Sequence, residues 1–154
     1  MGIEIERKFL LAGDAWRGLG QSVLLRQGYL SSARERVVRV RIEGEQAMLT
    51  IKGANVGATR GEWEYPIPLA DAAELLDSLC EQPLIEKVRH RIEHAGMVWE
   101  VDEFLGANAG LVVAEIELAS EDQPFEKPDW VGAEVSGDAR YYNANLIRHP
   151  FSQW

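Results

Sequence analysis

At 154 residues, 46% hydrophobic and 27% charged, the chain is expected to form a single domain, 1–154, with a substantial core. A formal net charge of -9 argues against a general nucleic-acid binder, whose affinity rests on basic surface. Cys80 is the sole cysteine and no apolar run approaches the ~20 residues that span a bilayer, so a cytoplasmic protein with no membrane partner, no signal peptide and no disulfide is expected.

Strands are predicted at about 3–11, 22–31, 36–43, 46–53, 60–68, 86–95, 97–105 and 111–120. In most of them a charge recurs at every second position. Glu4, Glu6 and Lys8 alternate with Ile3, Ile5 and Phe9. Arg39 and Arg41 alternate with Val38, Val40 and Ile42. The same holds for Arg60, Glu62 and Glu64, for Lys87, Arg89 and Arg91, for Glu100 and Asp102, and for Glu115 and Glu117. Alternate side chains of a strand point to opposite faces, so one sheet surface is apolar and the other ionic. Gly44-Glu45, Ala95-Gly96 and Gly106–Gly110 read as hairpin connections, and Gly53–Gly61 as a small-residue loop anchored by nothing apolar except Val56.

Two segments read as helix. Ala70–Leu79 carries the stripe Ala72, Leu75, Leu76 and Leu79, with Asp71 as its cap. Asp138 caps a second helix that runs to about Ile147, stopped by His149-Pro150. Asp14–Leu19 forms a short turn, and the Pro- and Gly-punctuated stretch Ser120–Gly137 is expected to be irregular. Strands joined mainly by short turns suggest an antiparallel sheet that closes on itself to remove its edges.

A charge at every second position is the ordinary mark of a wet sheet face, and pair by pair that is the better reading. Three features of the whole set turn it inward. Signs segregate by strand, basic in Arg39–Arg41 and Lys87–Arg91, acidic in Glu100–Asp102 and Glu115–Glu117. Ser, Thr and Gln are scarce on that face. Bulky Trp63, Trp99 and Tyr65 fit better under covering helices than in a lumen. Buried charge demands partners. A polyphosphate serves Arg and Lys, and hard divalent cations such as Mg²⁺ or Mn²⁺ serve paired carboxylates.

The segment Glu4-Ile5-Glu6-Arg7-Lys8 is an E-x-E-x-K pattern. With RQGYL (Arg26–Leu30), RVRI (Arg39–Ile42), LTIKG (Leu49–Gly53), EKVR (Glu86–Arg89), WEVDEFLG (Trp99–Gly106), GLVVAEIEL (Gly110–Leu118) and DARYYNANL (Asp138–Leu146), the chain resembles the CYTH superfamily, the triphosphate tunnel metalloenzymes. It is most similar to the small bacterial inorganic triphosphatases. The resemblance implies an α+β, mainly antiparallel fold: an eight-stranded closed tunnel barrel with an ionic interior, flanked by a few helices. It implies Glu4, Glu6, Glu115 and Glu117 as metal ligands. Lys8, Arg39, Arg41, Lys52, Lys87 and Arg89 would grip the triphosphate. Tyr29 and Lys87 would form a catalytic pair, Glu62 and Glu64 would position basic side chains or water, and Asp102 would tune metal or lysine. Arg60 and Arg91 are weaker ligand candidates, and Asp138–Leu146 would close one tunnel end.

The expected reaction is hydrolysis of inorganic triphosphate to diphosphate and phosphate with Mg²⁺ or Mn²⁺. Alternatives are an organic triphosphate (a thiamine or nucleotide triphosphatase, or a class IV adenylyl cyclase) and a non-catalytic polyphosphate-binding module. The loop Gly53–Gly61 lacks P-loop spacing, and His90, His94 and His149 do not make a zinc site. His90 is placed on the outer face, Cys80 in the core, and the apolar exterior leaves room for a homodimer.

Overall fold

The alternating segments become β1 (Gly2–Leu11), β2 (Gln21–Ala33), β3 (Arg36–Glu43), β4 (Gln46–Lys52), β5 (Thr59–Ile67), β6 (Ile85–His94), β7 (Met97–Phe104) and β8 (Val112–Glu117) in the computed structural model, which describes residues 2–154. Their lateral order is β5-β4-β3-β2-β6-β7-β8-β1, and β1 pairs back onto β5. Every pairing is antiparallel, so these strands close an eight-stranded barrel. Closure abolishes the free edge that an open sheet would expose.

A ninth strand, β9 (Val131–Glu134), lies in the stretch expected to be irregular. It forms because β1 divides one edge between two partners. Gly2 to Ile5 pair with β5, and Phe9 and Leu11 pair with β9. Four residues that contain Gly132 and follow Pro128 carry too little β signal to be read alone.

The tight turns follow the glycines. Gly44 (φ 60°) turns β3 into β4, and Ala95 and Gly96 (φ 51° and 77°) turn β6 into β7. Helix α1 (Leu69–Ser78) starts earlier than expected. Its N-cap is Pro68, and Asp71 lies in the first turn rather than capping, where it still favours the positive helix end. The expected helix from Asp138 is broken in two. Asp138 caps a single tight turn at Ala139–Tyr141, accepting from the Arg140 N–H. Tyr142 is then extended (ψ 126°) before α2 (Asn143–Leu146).

The apolar face points outward and is covered in two places. Leu76, Ala72 and Cys80 of the α1 region pack on Val40 and Ala47. Gly28 permits that approach, since a Cβ there would lie 2.7 Å from Leu84 and 2.9 Å from Cys80. The larger cluster joins Phe9, Ile92, Trp99, Val101, Ala114 and Ile116 to Trp16, Trp130 and Leu118. Loop residues Phe125 and Trp130 cover Trp99, and Tyr65 is 52% exposed. His90 meets Trp16 edge-on at 5.0 Å on this outer face. Among the described residues no helix is long and apolar enough to cross a membrane.

Candidate active site

The opposite face of every strand lines a cavity of about 240 Å³. Strand parity puts Glu4, Glu6 and Lys8 of β1, Arg39 and Arg41 of β3, Lys52 of β4, Glu62 and Glu64 of β5, Lys87 and Arg89 of β6, and Glu115 and Glu117 of β8 on its wall. Tyr29 of β2 joins them. The residues expected as metal ligands, phosphate grips and catalytic groups therefore all border one space, while Asp102 lies behind the wall. Register brings Glu6 opposite Glu117 and Lys8 opposite Glu115 across the β1–β8 pair.

One end of the tunnel is closed. Tyr29, Val37, Ile85, Phe104, Leu111 and Val113 cluster with Tyr141, Leu146 and Ile147 of the C-terminal segment. That segment also supplies polar groups to the floor. The Lys8 Nζ donates to the Tyr141 carbonyl at 3.0 Å, and the Lys87 Nζ to the Asn143 Oδ1 at 2.8 Å.

Asp102 is the buried anchor of the basic wall. It is 0% exposed and accepts from the Lys87 Nζ at 2.7 Å and from the Arg89 Nε and Nη2 at 2.7 and 2.8 Å. Burial alone would raise its pKa, but the Lys87 and Arg89 charges outweigh it and hold the carboxyl far below the usual range. Burial lowers Lys87 most, Asp102 opposes it, Arg89 and Arg41 lower it again and Glu115 opposes them, so the Lys87 pKa falls to about 7. Tyr29 and Lys87 share the cavity, but Lys87 is bonded to Asp102 and Asn143, and Tyr29 to Gln27.

The carboxylates divide into compensated and uncompensated ones. Lys52 donates to Glu4 at 2.9 and 3.1 Å and lies 3.5 Å from Glu62. Lys8 and Arg89 each lie 3.5 Å from Glu115. Burial would raise Glu115, but these cations hold it at about 2. Among the described residues Glu6 has no cation within ion-pair distance, and Lys8 and Lys52 only weakly offset its surroundings. Burial first, then the Glu115 and Glu4 charges, push its carboxyl well above the usual range. Among the described residues no three metal-donor side chains converge as a ready cage. The donor set is nonetheless all carboxylate oxygen, which fits a hard divalent cation, and Glu6 lacks the positive charge such an ion supplies.

The arginines of β3 show the opposite deficit. Arg39 lies 3.8 Å from Glu64, and its Nε is buried with no hydrogen-bond partner. Arg41 donates through Nε to the neutral Gln27 Oε1 at 2.8 Å. Burial, then Arg39 and Arg89, pull its pKa down, a pressure that a bound anion relieves. Glu64 accepts from Thr50, which in turn accepts from Arg39, so Glu64 steadies a basic side chain.

Two weaker candidates part company. Arg60 borders the cavity but donates to the Gly53 carbonyl at 3.1 and 2.9 Å, bracing the Gly53–Gly61 loop. Arg91 bonds Glu43 and Glu100 and does not border it. The loop itself is held by more than Val56. Glu6 N–H donates to the Ala58 carbonyl, and Ala58 N–H to Glu121. Sequence reasoning missed Arg34, Ser136, Asn143 and Asn145, all on the cavity wall. They sit in turns and the C-terminal segment, where no period-2 pattern marks them.

A closed antiparallel barrel with this ionic lining is matched by the family model described as CYTH domain, over residues 2–150. The chain belongs to the CYTH domain family. A relative from Acetivibrio thermocellus, named inorganic triphosphatase, is 51% identical over 154 residues, covering 100% of this chain and 99% of the relative. Another of that name, from Nitrosomonas europaea, is 37% identical over 147 residues, covering 93% and 95%. The crystal structure of the inorganic triphosphatase NE1496 superimposes with a TM-score of 0.68 at 35% identity, covering 96% of this chain and 95% of that one.

Proposed function

We propose that this CYTH domain, 1–154 acting as one unit, hydrolyses inorganic triphosphate to diphosphate and phosphate, with Mg²⁺ or Mn²⁺ as cofactor. The observation that carries the reading is a small one-ended tunnel in which, among the described residues, Arg39 and Arg41 have no carboxylate partner beyond the 3.8 Å approach of Glu64 to Arg39. A dead-end cavity of about 240 Å³ suits a compact polyanion, being smaller than the roughly 300–1,000 Å³ of pockets for drug-sized ligands. The two relatives named inorganic triphosphatase, both matched nearly end to end, support it.

Arg39 and Arg41 take phosphate oxygens through their planar forks, and Lys8, Lys52, Lys87 and Arg89 add charge and donors. Glu62 and Glu64 position Lys52 and Arg39. Glu4, Glu6, Glu115 and Glu117 would hold the cation, which when bound neutralises phosphate charge and lowers the pKa of water. In the reaction a water oxygen bonds to the terminal phosphorus while the bridging P–O bond breaks. The proton that water gives up passes to the phosphate products or to bulk solvent, and the diphosphate leaves with the bridging oxygen and its electron pair. Donors fixed around the leaving group stabilise its growing charge.

The test is phosphate release from tripolyphosphate, thiamine triphosphate, ATP and diphosphate in Mg²⁺ and in Mn²⁺, with a cyclic-AMP assay on ATP. Tripolyphosphate is expected to give the highest kcat/KM. A larger value for any organic triphosphate would move the reading to that substrate, and tight binding without turnover in either metal would reduce it to a binding module.

A further inference from the structure

Gln27 sits on the inward row of β2 between Leu25 and Tyr29 and is 0% exposed. A buried amide needs partners for both its oxygen and its NH₂ group. Arg41 can only donate, so Gln27 must turn Oε1 toward the Arg41 Nε at 2.8 Å. That aims its Nε2 at the Tyr29 hydroxyl, 3.0 Å away, and at the Asn143 Oδ1, 3.4 Å away. The Asn143 orientation agrees with this, since protonated Lys87 donates to the same oxygen at 2.8 Å.

These constraints settle the direction of the Tyr29 hydroxyl. Its oxygen accepts from Gln27, and among the described residues no acceptor takes its proton. Tyr29 borders the cavity, so the free O–H is available to a ligand there. Burial raises the phenol pKa and keeps that proton in place, against the lowering effect of Arg39, Arg41, Gln27 and Lys8. Two neutral amides thus leave Arg41, Lys87 and Tyr29 as donors around one floor. A phosphate end has only acceptors to offer.

Resting on the triphosphatase reading above, we propose that Gln27, braced by Asn143, is a positioning residue that sets the hydrogen-bond polarity of the tunnel floor, so that Tyr29 donates to a phosphate oxygen. Gln27 touches no substrate. It acts through Tyr29 and Arg41.

The experiment compares tripolyphosphate kinetics of Gln27→Met, Tyr29→Phe, the double variant and Gln27→Glu. Gln27→Met keeps length and removes both bonds. Its kcat is expected to fall about 10- to 100-fold with little change in KM, as misaligned groups do. The double variant is expected within about 3-fold of Gln27→Met, because both changes break one unit. Gln27→Glu keeps the acceptor for Arg41 but draws the Tyr29 proton to itself, so it is expected to fold and remain slow. Wild-type kcat in either Gln27 variant, or fully additive losses, would overturn the proposal. Where Gln27→Met fails to fold, Gln27→Glu carries the test. A second readout needs no turnover: ultraviolet titration of Tyr29, taken as the difference from the matching Tyr29→Phe chain. Gln27→Met removes a donor that favours the phenolate, so the Tyr29 titration is expected to move to higher pH, and an unmoved or lowered one overturns the proposal. If the wild-type chain releases no phosphate from tripolyphosphate, the functional reading fails while this titration still judges Gln27.

Discussion

Asp102→Asn keeps the shape of the most buried carboxylate and deletes its charge. Asp102 is 0% exposed, and its two oxygens accept from Lys87 and Arg89 at 2.7–2.8 Å. Removing one partner of a buried ionic cluster leaves charge uncompensated and costs about 3–5 kcal/mol. For a chain of this length each kcal/mol lowers Tm by about 2–4 °C, so the variant is expected to melt roughly 6–20 °C below wild type by calorimetry in phosphate-free buffer. The pH dependence has a definite sign. Lys87 titrates at about 7 in the folded chain, below the ~10.4 of an unfolded lysine. Its folded pKa is depressed, so the unfolded state binds the extra proton across that window and Lys87 penalises folding fully below it. Without Asp102 the folded Lys87 pKa drops further. Above pH 7 both chains hold Lys87 neutral and that part of the difference vanishes. Below pH 7 only the wild type has a counter-charge. The Tm deficit is therefore expected to be larger at pH 6 than at pH 9. A deficit under 2 °C at pH 6, or one that grows with pH, would refute the reasoning.

Glu115→Gln is expected to cut phosphate release from tripolyphosphate by about 10²-fold or more while circular dichroism shows a folded chain, and near wild-type turnover at saturating Mg²⁺ would remove Glu115 from the metal site. Glu6→Gln is expected to raise the Tm in metal-free buffer, since Glu6 is a half-buried carboxylate repelled by Glu4 and Glu115, and to shrink the further rise that Mg²⁺ gives the wild type. Gly20→Ala places a Cβ 2.0 Å from the Arg91 carbonyl oxygen, so β6 must move; a loss of about 1–3 kcal/mol by urea titration is expected.

What was legible in the sequence was periodic. β1, β3, β6, β7 and β8 carry strict alternation because one face meets a core and the other a charged lumen, and both demands repeat every second residue. Sign segregation let the direction be read as well. β2 carries no such mark, because its inward row of Leu25, Gln27 and Tyr29 looks like core although Tyr29 borders the site. Gln27 and Asn143 have no charge to mark them, and their importance lies in which neighbours they meet, which is a property of the fold. Strand β9 depends on an edge that β5 leaves free on β1, a tertiary fact invisible in Val131–Glu134 alone. The helix expected from Asp138 breaks at Tyr142, whose extended backbone lets Asn143 border the cavity.

The pairing of Lys52 with Glu4 yields a test with opposed signs. Lys52 lies between Glu4 and Glu62, with hydrogen bonds to the first and a 3.5 Å approach to the second. It therefore serves two masters: a phosphate would draw it away, and a cation on Glu4 would displace it. An opposite charge this close shifts a carboxylate by about 1–3 pKa units, and it lowers the attraction for a metal cation in the same way. Lys52→Met removes a charge proposed to bind phosphate and at the same time unburdens Glu4. Turnover of tripolyphosphate is expected to fall, while Mg²⁺ affinity, measured by calorimetric titration without substrate, is expected to rise about 10-fold or more. If Lys52 merely props the barrel, both would fall together. If Glu4 holds no metal, the affinity would not move. Only a tunnel that keeps its metal and phosphate groups neutralising one another predicts that the two change in opposite directions.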